Sequence, residues 1–390
     1  MTKVNTNKIL FIIVLAQFFC TSVWFAGNVI IGDLQQVFQL DSNAIGYLTS
    51  AVQSGFIIGT LIFALLTLAD RFSPSLVFCL SAVAAAALNA GVLIAGDNLT
   101  LLILLRFLMG SMLAGVYPVG MKIASDYHEK GLGKALGYLV GALVLGTAFP
   151  HLVKTLSGDL PWATVLFVTS ALSLFGGLTI YFLVPDGPYR KAGQKLDLSV
   201  IFKVFKNRKF RSAAFGYFGH MWELYAFWTF IPLFIATYFE DRLMPTANES
   251  LLSFLVIGIG SIGCVTGGYV SFKKGSKKVA FFALLISGIF CVISPVFMSL
   301  PPSIFLLMMI LWGVFVIMDS PQFSTLVAQS APRENIGSAL TIVNSIGFLL
   351  TIFSIQLLNI LKSEFAVKYL FLALAIGPIL GLISMNKKED

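Results

Sequence analysis

Charged residues are scarce in this sequence of 390 residues. Asp, Glu, Lys and Arg together make up 11% of the chain, whereas a soluble globular protein carries about 25% charged residues. Hydrophobic residues make up 57%. Most of the chain therefore belongs in lipid, which leaves no room for a soluble catalytic domain.

Cysteine and histidine are also few, with four and three residues respectively. Cys20, Cys79, Cys264 and Cys291 all lie within apolar stretches, at spacings that match no metal motif. We interpret them as small buried packing residues. No Walker loop, metal cluster or catalytic triad is apparent. The sequence thus predicts no metal site, no cofactor and no enzymatic activity.

The net charge of +8 is the one feature that could suggest a nucleic-acid partner. Topology explains it better, because cytoplasmic loops of membrane proteins collect Lys and Arg. With the N-terminus in the cytoplasm, most of the 26 basic residues fall in cytoplasmic segments. The pattern predicts a multi-pass protein of a bacterial inner membrane, with both termini cytoplasmic and no nucleic-acid partner.

Twelve apolar stretches fill almost the whole chain. Each has about 19–27 residues, enough to cross a ~30 Å hydrocarbon layer as a helix. We number them spans 1 to 12 and place them at Ile9–Ile31, Ala44–Leu68, Leu76–Ala95, Leu101–Ala124, Ala135–Val153, Trp162–Val184, Ala213–Phe239, Leu251–Phe272, Val279–Leu300, Ser303–Val327, Ser338–Leu361 and Phe365–Met385.

The predicted fold is therefore all-α, with twelve transmembrane helices in two pseudo-symmetric bundles of six. Residues 1–184 form the N-terminal bundle, 185–211 a basic cytoplasmic linker and 212–390 the C-terminal bundle.

The two halves carry related motifs. Gly110 and Gly313 are 203 positions apart, and so are Pro118 and Pro321. Duplicated six-helix halves are the sequence mark of several transporter folds. This repeat indicates that spans 1–6 and spans 7–12 are two versions of one unit.

Two short motifs complete the pattern. Asp70-Arg71 occupies the loop between spans 2 and 3, and Arg106-x-x-x-Gly110 lies in span 4. Together with the six-plus-six arrangement, they resemble the major facilitator superfamily of secondary transporters over the whole chain. The resemblance implies alternating access around a central cavity lined by helices 1, 4, 7 and 10. It also implies a gating role for Asp70 and Arg71, as a latch between conformational states.

Four charged or imidazole side chains lie within spans and away from the span ends, where charge is expensive and usually functional. Arg106 is in span 4, His220 and Glu223 are one turn apart in span 7, and Asp319 is in span 10. All four fall on the helices that the resemblance assigns to the cavity. We expect Arg106 and Asp319 to bind substrate, and Glu223 with His220 to carry a proton, because burial favours the neutral carboxyl form. For Arg106 the alternative is snorkelling to the outer surface, because it lies near that end of the span. For the other three the alternative is a structural role, as a partner of Arg106 or of a backbone group.

Further polar and aromatic residues are candidates for the substrate site. Tyr117 follows Arg106 on one helical stripe of span 4, and Trp222 belongs to an aromatic group in span 7. Span 1 contributes residues spaced four, three and four apart, which share one face of a helix; they are Gln17, Thr21, Trp24 and Asn28. Helix packing alone is the alternative for this face.

These observations predict a secondary active transporter for a small organic solute. Arg106 suggests that the solute carries an anionic group, and protons are the expected coupling ion because no ATP-binding element is present. We expect a monomer whose other partners are membrane lipids. Two alternatives stay open: a proton-driven drug or multidrug efflux antiporter, and a non-transporting receptor or scaffold on the same fold.

Overall fold

The structure is a computed structural model that describes residues 6–128, 132–190, 200–243, 248–332 and 335–386. Within these ranges the chain is helical almost throughout. The helices form two compact units, unit 1 (Met1–Leu196) and unit 2 (Asp197–Asp390).

Unit 1 contains ten α-helices and a 3-10 turn at Val92–Ile94 within the described ranges. In chain order the α-helices are α1 (Thr6–Thr21), α2 (Ala26–Val29), α3 (Ile31–Phe38), α4 (Ala44–Leu65), α5 (Leu68–Arg71), α6 (Pro74–Gly91), α7 (Leu99–Leu113), α8 (Tyr117–Asp126), α9 (Leu132–Ser157) and α10 (Ala163–Leu183).

Unit 2 contains nine α-helices and a 3-10 segment at Val367–Ala375 within the described ranges. The α-helices are α11 (Val200–Val204), α12 (Arg208–Glu240), α13 (Glu249–Gly258), α14 (Gly260–Lys274), α15 (Ser276–Phe297), α16 (Pro302–Met318), α17 (Ser320–Ser330), α18 (Ile336–Glu364) and α19 (Ile376–Asn386).

Ten helical segments of the described chain are long and apolar enough to cross a membrane. They coincide with spans 2–6 and 8–12. Span 1 holds the shorter apolar helix α1, of 16 residues, and span 7 lies within the 33-residue helix α12. The all-α, multi-pass fold class is confirmed, and the count of twelve spans stays a prediction.

Several of the predicted spans are interrupted, among them spans 1, 4 and 10. Spans 4 and 10 break before Tyr117 and Ser320, and Pro118 and Pro321 occupy the first turn of the helices that follow. Proline is tolerated there because the first turn of a helix does not use its N–H groups. Span 1 breaks at residues 22–25 without a proline.

The repeat seen in the sequence reappears in helix packing. A Cβ atom on Gly110 of α7 would overlap the Val52 carbonyl of α4. A Cβ atom on Gly313 of α16 would overlap the Val256 carbonyl of α13 in the same way. Small residues allow helix backbones to approach closely within a membrane. The two units therefore share one glycine-dependent contact between corresponding helices.

Candidate functional site

Arg106 lies deep within unit 1, with 1% of its surface exposed. Its Nη1 atom donates to Oδ1 of Asn89 (3.1 Å) and to the carbonyl of Val23 (3.3 Å), and Nη2 donates to the carbonyl of Trp24 (2.6 Å). Both carbonyls are available because α1 ends before them. No carboxylate of the described residues lies within ion-pair distance of the guanidinium. The buried cation is thus held by neutral oxygens.

Asn89 extends this cluster to α10. Its Nδ2 atom donates to the hydroxyls of Thr169 (3.1 Å) and Ser170 (3.0 Å). Gly27 of α2 leaves room for the guanidinium, since a Cβ atom there would lie 3.1 Å from Arg106 Cζ. Arg106 therefore joins four spans of unit 1, and its direct contact with substrate stays a prediction.

The predicted polar face of span 1 is divided by the break at residues 22–25. Gln17 and Thr21 lie on α1, where the Thr21 hydroxyl donates to the Gln17 carbonyl (2.8 Å). Gln17 is fully buried, and neither of its amide atoms has a hydrogen-bond partner among the described residues. Asn28 lies beyond the break on α2 and donates to the Thr49 hydroxyl of α4 (2.6 Å). The four residues thus do not follow one continuous helical face.

The three predicted aromatic site residues lie within their own units. Tyr117 is the first residue of α8 and is half-buried. Trp222 is half-buried on α12, and its indole N–H donates to the carbonyl of Ala373 (3.1 Å). The Trp24 ring packs against Phe56, with centroids 4.9 Å apart. A substrate contact for any of the three stays a prediction.

Glu223 is the central buried carboxylate of unit 2, with 1% of its surface exposed. Its Oε1 atom accepts from the Ser287 hydroxyl (2.5 Å), the Trp312 indole N–H (2.9 Å) and the Cys291 thiol (3.2 Å). Its Oε2 atom has no hydrogen-bond partner among the described residues. All three donors are neutral, so no cation in the described chain balances a charge on this carboxylate.

His220 and Asp319 form a buried pair in unit 2. His220 Nδ1 lies 2.8 Å from Asp319 Oδ1, and each side chain is 1% exposed. Asp319 sits at the break between α16 and α17. His220 Nε2 has no hydrogen-bond partner in the described part of the chain. The structure therefore brings together two predicted site residues that are 99 positions apart in sequence.

The loop between spans 2 and 3 has its own charge network. Asp70 pairs with Lys122 of α8, whose Nζ atom lies 2.8 Å from Oδ1. Arg190 donates to the carbonyl of Asp70 (3.0 Å). Arg71 is exposed and makes no ion pair with a described residue. The two predicted gating residues thus have different surroundings within unit 1.

Four important partners were not predicted from the sequence. Asn89 and Lys122 bind Arg106 and Asp70, while Ser287 and Trp312 bind Glu223. Of these partners, Asn89 could have been recognised from the sequence, because it is a strongly polar residue within an apolar span. Serine and tryptophan within a span are too common to mark a carboxylate partner.

Comparisons of sequence and of structure both relate this chain to membrane transporters. The sequence profile of the Major Facilitator Superfamily matches residues 13–355. No curated protein has a matching sequence. The structure resembles a bacterial homologue of the human lysosomal transporter Spinster, with a TM-score of 0.71 and 13% identity over 98% of this chain and 96% of that one.

A second solved structure with the same fold is a mutant of the nucleoside transporter NupG. Its TM-score is 0.74, with 16% identity over 97% of this chain and 100% of that chain. Identities this low establish the fold alone. The profile match, however, covers most of the sequence, and the resemblance drawn from its motifs is confirmed. This chain belongs to the Major Facilitator Superfamily.

Proposed function

We propose that the chain moves a small organic solute across the membrane by alternating access, with protons as the coupling ion. Family membership supports a multi-pass membrane transporter rather than an enzyme. The substrate, the coupling ion and the residues that serve them are the parts that we propose.

The observation that carries proton coupling is the environment of Glu223. A buried carboxylate is more stable neutral than charged unless a cation is close. Here three neutral donors converge on Oε1, and Oε2 is left without a partner among the described residues. This arrangement favours a carboxyl group that holds a proton on Oε2 and releases it when water reaches the site.

His220 is the proposed relay. It lies one helical turn before Glu223 on α12, and its Nε2 atom also lacks a hydrogen-bond partner among the described residues. Imidazole exchanges protons near neutral pH more readily than any other side chain. Asp319, 2.8 Å from Nδ1, would hold the ring in position for this relay. Proton movement would then change the charge of unit 2 by one during the transport cycle.

The proposed substrate is polar and organic, without a required anionic group. The anion was suggested by Arg106, whose two Nη atoms already donate to three oxygens of unit 1. Gln17 and Gln53, by contrast, are fully buried, and their amides have no hydrogen-bond partner among the described residues. An amide both donates and accepts, so these two residues suit a neutral solute with hydrogen-bonding groups. The NupG similarity is compatible with such a solute.

The orientation remains as the basic residues indicate, with both termini in the cytoplasm of a bacterial cell and residues 185–211 as the linker between bundles. The chain is proposed to act as a monomer.

The test begins with a ligand. A thermal-shift screen of the purified protein against a metabolite library identifies one, because binding stabilises the folded state by mass action. Substrate movement is then measured in proteoliposomes with and without an imposed pH gradient. We expect Glu223→Gln, which imitates the protonated state, to retain binding and exchange but to lose accumulation driven by the gradient.

Glu364→Gln is the matched control, because Glu364 is an exposed glutamate at the end of α18. It should accumulate substrate as the parent protein does. If Glu223→Gln still concentrates substrate under a pH gradient, Glu223 is not the carrier, and Asp319 becomes the next candidate.

A further inference from the structure

A groove of about 440 Å³ lies on unit 2 where α14, α15 and α16 meet. Its volume is within the roughly 300–1,000 Å³ typical of ligand sites. Its walls are apolar apart from two lysines, and the residues that line it are Val270, Lys274, Lys278, Val279, Phe282, Ala283, Phe315 and Met318.

The two lysines are held at one end of the groove by a tight hairpin. Lys274 is the last residue of α14, and Lys278 lies in the first turn of α15. Gly275 joins the helices with a φ of 84°, a conformation that residues with a Cβ atom rarely adopt. The hairpin therefore brings both lysines to the same end of the groove.

The positive charge of this end is not neutralised nearby. No Asp or Glu occurs in the sequence between Glu249 and Asp319. Neither Lys274 nor Lys278 has an ion-pair partner among the described residues. A ligand that supplies an anionic group would therefore meet two uncompensated ammonium groups.

The apolar walls indicate what else the ligand contains. Val270 is 47% exposed and Phe282 is 57% exposed, on helices that cross the membrane. A free phosphate would leave these surfaces unused. A zwitterionic lipid would bring its own cation to a site that already holds two.

We propose that this groove binds an anionic phospholipid. Its phosphate would lie between Lys274 and Lys278, and one acyl chain would follow Val270 and Phe282 along the groove. Basic pockets between transmembrane helices at the cytoplasmic surface are suited to such headgroups. The proposal is independent of proton coupling, because none of the lining residues belongs to the Glu223 or His220 clusters.

The test uses the purified full chain in a non-ionic detergent and short-chain soluble lipids. Dihexanoylphosphatidylglycerol supplies the anionic lipid, dihexanoylphosphatidylcholine the zwitterionic one, and glycerol 3-phosphate the headgroup without chains. We expect the first to bind at least about tenfold more tightly than the second, and the third to give no thermal stabilisation at equal concentration. If glycerol 3-phosphate stabilises the protein as much as the anionic lipid does, the groove binds a simple anion and the proposal of a lipid site is wrong.

Neighbouring lysines provide matched variants. Lys274→Gln should weaken binding of the anionic lipid about fivefold, and K274Q/K278Q should remove the preference over phosphatidylcholine. Lys273→Gln, which removes the same charge one position away, should stay within about twofold of the parent protein because Lys273 does not line the groove. An equal loss in Lys273→Gln and Lys274→Gln would show diffuse attraction only and would overturn the site.

The exposed wall is tested separately. Phe282→Ser should weaken both lipids, since it removes apolar contact without changing charge. Unchanged affinity for both lipids in this variant would also contradict an acyl chain in the groove.

Discussion

Units 1 and 2 keep the same helix contacts but bury different chemistry. Gly110 meets the Val52 carbonyl in one unit, and Gly313 meets the Val256 carbonyl in the other. The buried charged groups do not correspond in this way. Arg106 is enclosed by neutral oxygens, whereas unit 2 encloses a carboxylate and a histidine–aspartate pair. The scaffold of the repeat was retained while its polar interior diverged.

The difference separates a fixed charge from groups that can titrate. A guanidinium keeps its proton under all ordinary conditions, so Arg106 contributes a permanent charge. Glutamate and histidine exchange protons within the accessible range. Arg106 is therefore an anchored, permanent charge of unit 1, whereas Glu223 and His220 of unit 2 are the groups that we propose to respond to a pH gradient.

Removing the fixed charge should have the largest effect. Arg106→Ala would leave the Val23 and Trp24 carbonyls and Asn89 Oδ1 without their donor inside the bundle. We expect the free energy of unfolding to fall by about 3–5 kcal/mol, as is typical when a buried charged network loses one member. Thermal unfolding in detergent, followed with a thiol-reactive dye, measures it, because all four cysteines are buried in the native protein.

Arg106→Lys provides the comparison for this prediction. Lysine keeps the charge but lacks the planar fork that reaches three acceptors, so its loss should be intermediate. Native stability in Arg106→Ala together with lost substrate binding would instead favour a direct role in recognition.

The shared glycine contact should give the next largest effect, and an equal one in both units. Gly110→Ala and Gly313→Ala each force a methyl group onto a carbonyl of a packed helix. We expect each to lower the free energy of unfolding by about 1–3 kcal/mol. Cys20 and Cys79 report opening of unit 1, and Cys264 and Cys291 that of unit 2, by mass spectrometry of labelled peptides.

The control is Gly268→Ala, a helical position where an added Cβ atom meets nothing within 4 Å. It should be neutral or stabilise by up to about 1 kcal/mol, because alanine favours the helix. Strong destabilisation by Gly110→Ala with none by Gly313→Ala would break the symmetry between the units.

The histidine–aspartate pair should have a moderate effect, confined to transport. Asp319→Asn retains a hydrogen-bond acceptor for His220 but removes the carboxylate from the pair. Turnover in proteoliposomes should fall about tenfold, equivalent to about 1.4 kcal/mol. His220→Asn should cause a similar loss, and the double variant should lose no more than either one. Additive losses would mean that the two residues act separately.

The smallest effect is expected at the loop of unit 1. Asp70→Asn weakens a partly exposed pair with Lys122 that is worth about 0.2–1 kcal/mol, so turnover should fall by no more than about fivefold with ligand binding unchanged. Arg71→Gln should do less, since Arg71 has no ion-pair partner among the described residues. A large loss of equilibrium binding in Asp70→Asn would contradict a role in conformational cycling.

The fold class could be predicted because each of its signals is recognisable within a short stretch of sequence. Apolar length marks a span, and spaced glycines and prolines mark the repeat. The break in span 1 has no such signal. At this break Arg106 donates to the Val23 and Trp24 carbonyls from more than 80 positions away in the sequence. The apolar pattern therefore predicted that span 1 is one continuous helix with four polar and aromatic residues on one face. The structure interrupts this helix at residues 22–25 and divides the face.

The same distinction applies to the candidate site. Arg106, His220, Glu223 and Asp319 stand out because charge within a span is rare. Their partners are common residues whose importance depends on packing between distant segments. The sequence marks His220 and Asp319 individually but does not show that they form a pair. It gives no sign of the contacts that Ser287 and Trp312 make with Glu223.

The broken first helix also has a consequence for biosynthesis. The Val23 and Trp24 carbonyls and the guanidinium that satisfies them are separated by 83 and 82 residues. A ribosome adds about 5–20 residues per second, so roughly 4–16 s pass between their emergence. During that interval the Val23 and Trp24 carbonyls have no partner from span 4, and lipid offers none. Until span 4 arrives, these carbonyls must be satisfied by water, by the insertion machinery or by the N–H groups of a first helix that is not yet broken. The Arg106 contacts that hold the break in unit 1 can form only once span 4 is present.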